Sequence, residues 1–131
     1  MRLIPNHSVF RPANTSECIA AIEYALTSTT TPTTIVTSRG SFKQYESTLD
    51  QAKTGGYVLQ SCEHNHINII ATGSEVAVAI DTAAILKTKG IKAKIISMPC
   101  ITLFETQGKN YRDAVLDHKP TVSIEFGCTA P

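Results

Sequence analysis

The chain has 131 residues, 42% of them hydrophobic and 18% charged, so a folded core is within reach and wholesale disorder is excluded. Twelve basic residues against eleven acidic leave a net charge of +1, which gives no electrostatic footing for nucleic acid or a membrane surface. No apolar run approaches the roughly 18 residues that a membrane span needs, and Asn6, His7 and Ser8 break the first apolar stretch before a signal-peptide core forms. A cytoplasmic protein is expected. Cys18, Cys62, Cys100 and Cys128 are widely spread without a CxxC pair, and in that setting they read as free thiols.

The chain opens with an extended segment from Arg2 to Phe10, which Pro12 stops. Asn14 and Glu17 have the spacing of a capping box, and Cys18, Ile19, Ile22, Ala25 and Leu26 follow at helical spacing as the expected inner face of a helix. The Thr-rich run Thr27–Thr34 reads as a turn, and Ile35-Val36 as a short strand ending at Ser38-Arg39-Gly40. Periodicity then lapses over residues 41–66, which read as an interdomain linker broken by Gly55-Gly56.

A second α/β unit starts at Ile67. Ile69-Ile70-Ala71 predicts a buried strand, and Thr72-Gly73-Ser74 turns it into a helix with Ser74 as the expected N-cap and Gly90 as its left-handed end. Lys94–Met98 and Val122–Phe126 are the next strands, and Tyr111-Arg112 with Val115-Leu116 predicts a helix packed on the sheet. Strands about 25 residues apart with helical crossovers imply a mostly parallel sheet. The fold class is therefore α/β, as two units that each lack strands.

Several short runs carry a resemblance. They are Arg2-Leu3-Ile4-Pro5-Asn6, Phe10-Arg11-Pro12-Ala13 with Glu17, Thr37-Ser38-Arg39, Gly55–Leu59, Ile70–Val76, Gly90–Lys94, Ser97-Met98-Pro99, Leu103-Phe104-Glu105, Tyr111-Arg112 and Ser123-Ile124-Glu125. In order and spacing the chain resembles the transketolase family over nearly its whole length, and the Ser-Met-Pro to Tyr-Arg stretch favours that family over other thiamine-dependent relatives of the same architecture. The resemblance implies residues 1–40 as the end of a pyrimidine-binding domain, 41–66 as the linker and 67–131 as the first part of a C-terminal domain. It implies transfer of a two-carbon ketol unit between sugar phosphates in the pentose phosphate pathway, with thiamine diphosphate, Mg²⁺ and a homodimer in the full-length enzyme. The family's cofactor and metal motifs lie upstream of the first run, so no catalytic, cofactor or metal residue is assigned here, and the chain alone is expected to be inactive. One site residue carries over. Arg39 matches the family arginine that binds the substrate's phosphate, a task for which a fixed guanidinium fork is suited. The loop after it, Gly40-Ser41-Phe42-Lys43, departs from the family's Gln-Asn-Leu-Pro.

Other candidates read as structural. Thr72-Gly73-Ser74 lacks the further glycines of a dinucleotide loop. Cys62, His64 and His66 share one side only if extended, and no fourth zinc ligand is near in sequence. His7 and His118 have no evident partner. The competing expectation is a non-catalytic α/β module with an assembly role, from a truncated reading frame.

Overall fold

In the computed structural model, which describes residues 3–40 and 44–126, Pro5 and Asn6 (φ 53°) turn the chain into strand β1 (Ser8–Phe10). The extended start is thus shorter than expected, because residues 3–6 form a turn; Arg2 lies outside the described residues. Helix α1 (Thr15–Thr27) begins where the Asn14 side chain accepts the Glu17 N–H at 2.9 Å. Glu17 does reach back, but past the cap: its Oε2 accepts the Ala13 N–H at 2.6 Å.

The buried side of α1 is Glu17, Ala20 and Ala21, flanked by Tyr24, whose ring lies 5.2 Å from that of Phe10. Ile19, Ile22 and Leu26, expected to face inward, are exposed, Leu26 at 81%. The cause is the size of the partner sheet. Strand β2 (Thr33–Ile35) pairs in parallel with β1 over only three residues, and the small side of the helix approaches it closely. The strand starts earlier than Ile35 because Thr33 and Thr34 pair with Ser8 and Val9.

Within the segment read as a linker, α2 (Leu49–Ala52) carries a capping box between Thr48 and Gln51, and β3 (Tyr57–Gln60) enters the second sheet. There it runs antiparallel to β5 (Ala93–Ser97), which in turn lies parallel to β4 (Ile67–Ala71). Helix α3 (Glu75–Thr88) connects β4 to β5, and α4 (Ile101–Glu105) with α5 (Lys109–Leu116) leads to β6 (Thr121–Ile124), parallel to β4 on its other side. The order β3-β5-β4-β6 gives the mixed, mostly parallel α/β architecture that the spacing implied.

Period-two alternation sends Ile69 and Ile95 to one face, against Val76 and Ala79 of α3, and Ile70 and Ile96 to the other, against Met98, Phe104 and Val115. Both faces are thereby covered, as a parallel sheet requires. Ser74 is not the expected side-chain cap: its hydroxyl donates to Glu75 Oε1 at 2.7 Å instead, so the neighbouring carboxylate has captured it. Gly90 (φ 76°) ends α3 as expected, with the Ile91 N–H donating to Leu86 O and the Gly90 N–H to Lys87 O.

Gly55 combines φ 78° with a close approach, since a Cβ there would stand 2.6 Å from Cys100 O and 2.7 Å from Phe104 N. Gly55→Ala is expected to lower stability by about 2–3 kcal/mol, read as a fall in the urea midpoint. Gly90→Ala, where a Cβ meets nothing within 4 Å, is expected to cost about 1 kcal/mol, the left-handed backbone alone.

Candidate functional site

Arg39 follows β2 by four residues and is exposed at the carboxyl end of the small parallel sheet. The carboxyl end of β1 lies beside it, because Val36 N–H donates to Phe10 O at 2.8 Å. A cleft of about 350 Å³ opens between these strand ends and the start of α1, lined by Pro12, Ala13, Asn14, Cys18, Thr37 and Ser38. Crevices at the carboxyl ends of parallel strands are where α/β sheets take ligands. Thr15 Oγ1 donates to Gln44 Oε1 at 2.9 Å and closes one side of the approach. Ser41–Lys43, where the sequence departs from the family, lie outside the described residues.

Behind the cleft stands a carboxyl group whose role as more than a cap was not legible. Glu17 is fully buried, and three donors from three segments meet it: Ala13 N–H at 2.6 Å, Tyr57 O–H at 2.7 Å and Ser97 O–H at 2.6 Å. Asn14 supports the same contact, its amide donating to Ser47 Oγ at 3.1 Å and Tyr57 Oη at 3.3 Å. Burial pushes the Glu17 carboxyl above its ordinary 4.5, outweighing the three hydrogen bonds that favour its charge. Burial, and then the Glu17 charge, push the Tyr57 hydroxyl well above its ordinary range.

Arg11 forms a second junction. Its guanidinium donates to Glu75 Oε2 at 2.7 Å and Glu125 Oε1 at 3.1 Å, while its backbone N–H donates to Pro99 O and its carbonyl accepts from Thr72 Oγ1. It thus spans the carboxyl ends of β4 and β6. The Thr72-Gly73-Ser74 turn lies under this arginine, with Arg11 Cβ 3.5 Å from where a Gly73 Cβ would be. That turn is a packing contact, in keeping with its structural reading.

Cys62, His64 and His66 do not share a side. His64 has φ 53° in a turn, and His66 Nδ1 accepts the Lys92 N–H at 3.0 Å. Among the described residues no three His, Cys, Asp or Glu side chains converge to hold a metal ion, and no helix is long and apolar enough to cross a membrane. His7 Nε2 bonds Thr34 Oγ1 at 2.8 Å, and His118 is exposed in a left-handed turn. Cys18, Cys62 and Cys100 are free thiols; Cys128 lies outside the described residues.

Two layered α/β units, one with a crevice and an arginine at its strand ends, define the class. A family model described as the transketolase-like C-terminal domain matches residues 55–131. The chain is 40% identical over 131 residues to transketolase of Kluyveromyces lactis, covering 98% of this chain and 19% of that protein. It is 41% identical over 130 residues to transketolase 1 of Saccharomyces cerevisiae, with the same coverage. A solved transketolase from Pichia stipitis in complex with sedoheptulose 7-phosphate matches with a TM-score of 0.91 at 39% identity, over 95% of this chain and 19% of that one. A split-gene transketolase solved as an inactive β4 tetramer matches with a TM-score of 0.73 at 25% identity, over 94% of this chain and 40% of that one. The chain belongs to the transketolase family. It spans about a fifth of the length of the curated relatives it matches.

Two measurements probe the junctions. Arg11→Met leaves the Glu75 carboxylate, 1% exposed, without its cation and is expected to cost about 2–3 kcal/mol, at or just below the usual range because Arg11 is itself partly exposed; adding Glu75→Gln should recover most of that loss in urea unfolding. For Glu17 the folded state binds its proton more tightly than the unfolded chain does. Stability should therefore be greatest below about pH 4.5 on this account and fall as pH rises through the raised folded value. Glu17→Gln should flatten that part of the stability–pH curve.

Proposed function

We propose that this chain is the part of a transketolase that carries a phosphate-binding arginine and the beginning of the C-terminal domain. The complete enzyme transfers a two-carbon ketol unit from a ketose phosphate to an aldose phosphate in the pentose phosphate pathway of the cytoplasm, as a homodimer. Residues 1–40 close the pyrimidine-binding domain, 41–66 join the domains, with β3 of that stretch lent to the second sheet, and 67–131 open the C-terminal domain.

The observation that carries this reading is the place of Arg39. It stands at a strand end beside a crevice, in a chain 39% identical to a transketolase solved with a sugar phosphate. A guanidinium there grips the phosphate of a substrate whose reacting carbon lies elsewhere, so its binding energy orients the carbon chain without taking part in the chemistry. Thiamine diphosphate, with Mg²⁺, supplies the electron sink of the reaction in the complete enzyme. Their binding belongs, on this reading, to the remainder of the enzyme. On this reading the chain by itself is inactive, as the split-gene relative solved as a tetramer is described to be.

A second reading, a non-catalytic assembly module, is favoured by the exposed apolar side of α1, Ile19, Ile22 and Leu26. One experiment separates the two. The chain is assayed alone, then fused behind the upstream portion of a transketolase relative. The enzyme reading expects no ketol transfer alone, activity in the fusion, and a drop of roughly ten- to hundred-fold in kcat/KM for a phosphorylated ketose on Arg39→Gln, the equivalent of about 1.5–3 kcal/mol. A ketose without a phosphate should be turned over equally by both forms. An inactive but well-folded fusion would favour the assembly module.

A further inference from the structure

Glu17 and Arg39 are connected through two hydrogen bonds and two short stretches of chain. Glu17 Oε2 holds the Ala13 N–H, Phe10 lies three residues before Ala13 and accepts the Val36 N–H, and Arg39 lies three residues beyond Val36. On its other side Glu17 Oε1 takes hydrogen bonds from Tyr57 of β3 and Ser97 of β5, both in the second sheet. We propose that Glu17 is a positioning residue for Arg39: its buried carboxyl seats the unit of β1, α1 and β2 on the second sheet and so fixes where the guanidinium is presented. The proposal rests on the reading of Arg39 as a phosphate contact.

The donor set suits a carboxylate. Three donors take three of its roughly four acceptor positions, and the one from Ala13 is a backbone N–H that cannot reverse into an acceptor. A proton on Glu17 removes the charge that strengthens these three hydrogen bonds. Where it sits on Oε1 it turns the Tyr57 or Ser97 hydroxyl round, so the local geometry of the joint changes even though burial favours the neutral form. Among the described residues, the causes acting on the Glu17 carboxyl are its burial and these three hydrogen bonds. From α1 the titratable neighbour is Cys18, from β3 it is Tyr57, and β5 supplies only Ser97. Burial and the Glu17 charge push both the Cys18 thiol and the Tyr57 hydroxyl up, so each stays neutral while Glu17 titrates. Asn14, the remaining contact, carries no charge.

The test is a pH titration of the isotope-labelled 131-residue chain by NMR. The amides of Ala13 and of residues 36–40 are expected to follow one curve with a midpoint above 4.5, and Glu17→Gln is expected to abolish it while the signals of α5 and β6 stay in place. Should Glu17→Gln fail to fold, Tyr57→Phe and Ser97→Ala each remove one donor to the ionised form, and each should raise that midpoint at both Ala13 and residues 36–40. Residues 36–40 that do not titrate, that titrate the same way in Glu17→Gln, or whose midpoint ignores both donor deletions would overturn the proposal. Inorganic phosphate then probes Arg39 directly: its side-chain signals should shift in the parent chain, with several-fold weaker binding in Glu17→Gln. Coupled titration without any phosphate response would sink the reading of Arg39 and leave the link between Glu17 and residues 36–40 standing.

Discussion

A buried carboxyl group and, at the other end of the turn after β1, a guanidinium join the two units of this chain. Glu17 is the meeting point of a backbone N–H from the β1–α1 turn and hydroxyls from β3 and β5, and it is sealed from solvent. Burying a carboxylate is costly, and burial pushes its proton affinity up. The arrangement persists because every donor around it depends on it. Without the carboxyl, a buried N–H and two buried hydroxyls would lose their acceptor together, each at about 1–3 kcal/mol. Neither unit is large enough to dispense with the joint. The first has two strands of three residues each.

Arg11 repeats the same logic with the opposite charge at the far end of the β1 exit. The crevice above β4 and β6, which many parallel sheets leave open to a ligand, is bridged by a guanidinium that belongs to the protein. That crevice, about 280 Å³ and lined in part by Ile70, Thr72, Met98, Phe104 and Ile124, has a protein guanidinium at its rim, whereas the cleft of the first unit lies beside Arg39. The phosphate contact proposed for Arg39 falls on the side of the first unit, while the Thr72-Gly73-Ser74 turn packs under Arg11. Glu75 links the two observations, since the carboxylate that holds Arg11 also draws the Ser74 hydroxyl away from capping α3.

How much of this was legible in the sequence depended on the range of the interaction. Gly90, the strands read at Ile69–Ala71 and Lys94–Met98, each within a residue or two of the observed bounds, and the helix over Tyr111–Leu116 followed from local chemistry and period, because each is specified within a few residues. The face of α1 was misread because Ile19, Ile22 and Leu26 outweigh Ala20 and Ala21 in any count of apolar residues, whereas packing against a two-stranded sheet selects the small side. β3 was missed for a related reason. Four residues after a Gly-Gly pair carry little period of their own, and only β5, some 40 residues on, makes them a strand. At the site, the place of Arg39 at a strand end could be read from the order of runs. Its support could not, since Tyr57 and Ser97 lie 40 and 80 residues from Glu17 and no spacing rule reaches that far.

The exposed side of α1 bears on how the chain works in a larger enzyme. Ile19, Ile22 and Leu26 form an apolar stripe on the face opposite the small sheet, while Glu17 on the inner face is already satisfied. A partner packed on that stripe would therefore press on a helix whose amino-terminal turn is fixed at Ala13, Asn14 and Glu17. The cleft beside Arg39 is lined by that same turn. With Glu17 on the inner face bonded to the second sheet, such packing could tilt the helix only by breaking buried hydrogen bonds. The cleft would thus keep its shape whatever covers the outer side, and the position of Arg39 would be set from within this chain.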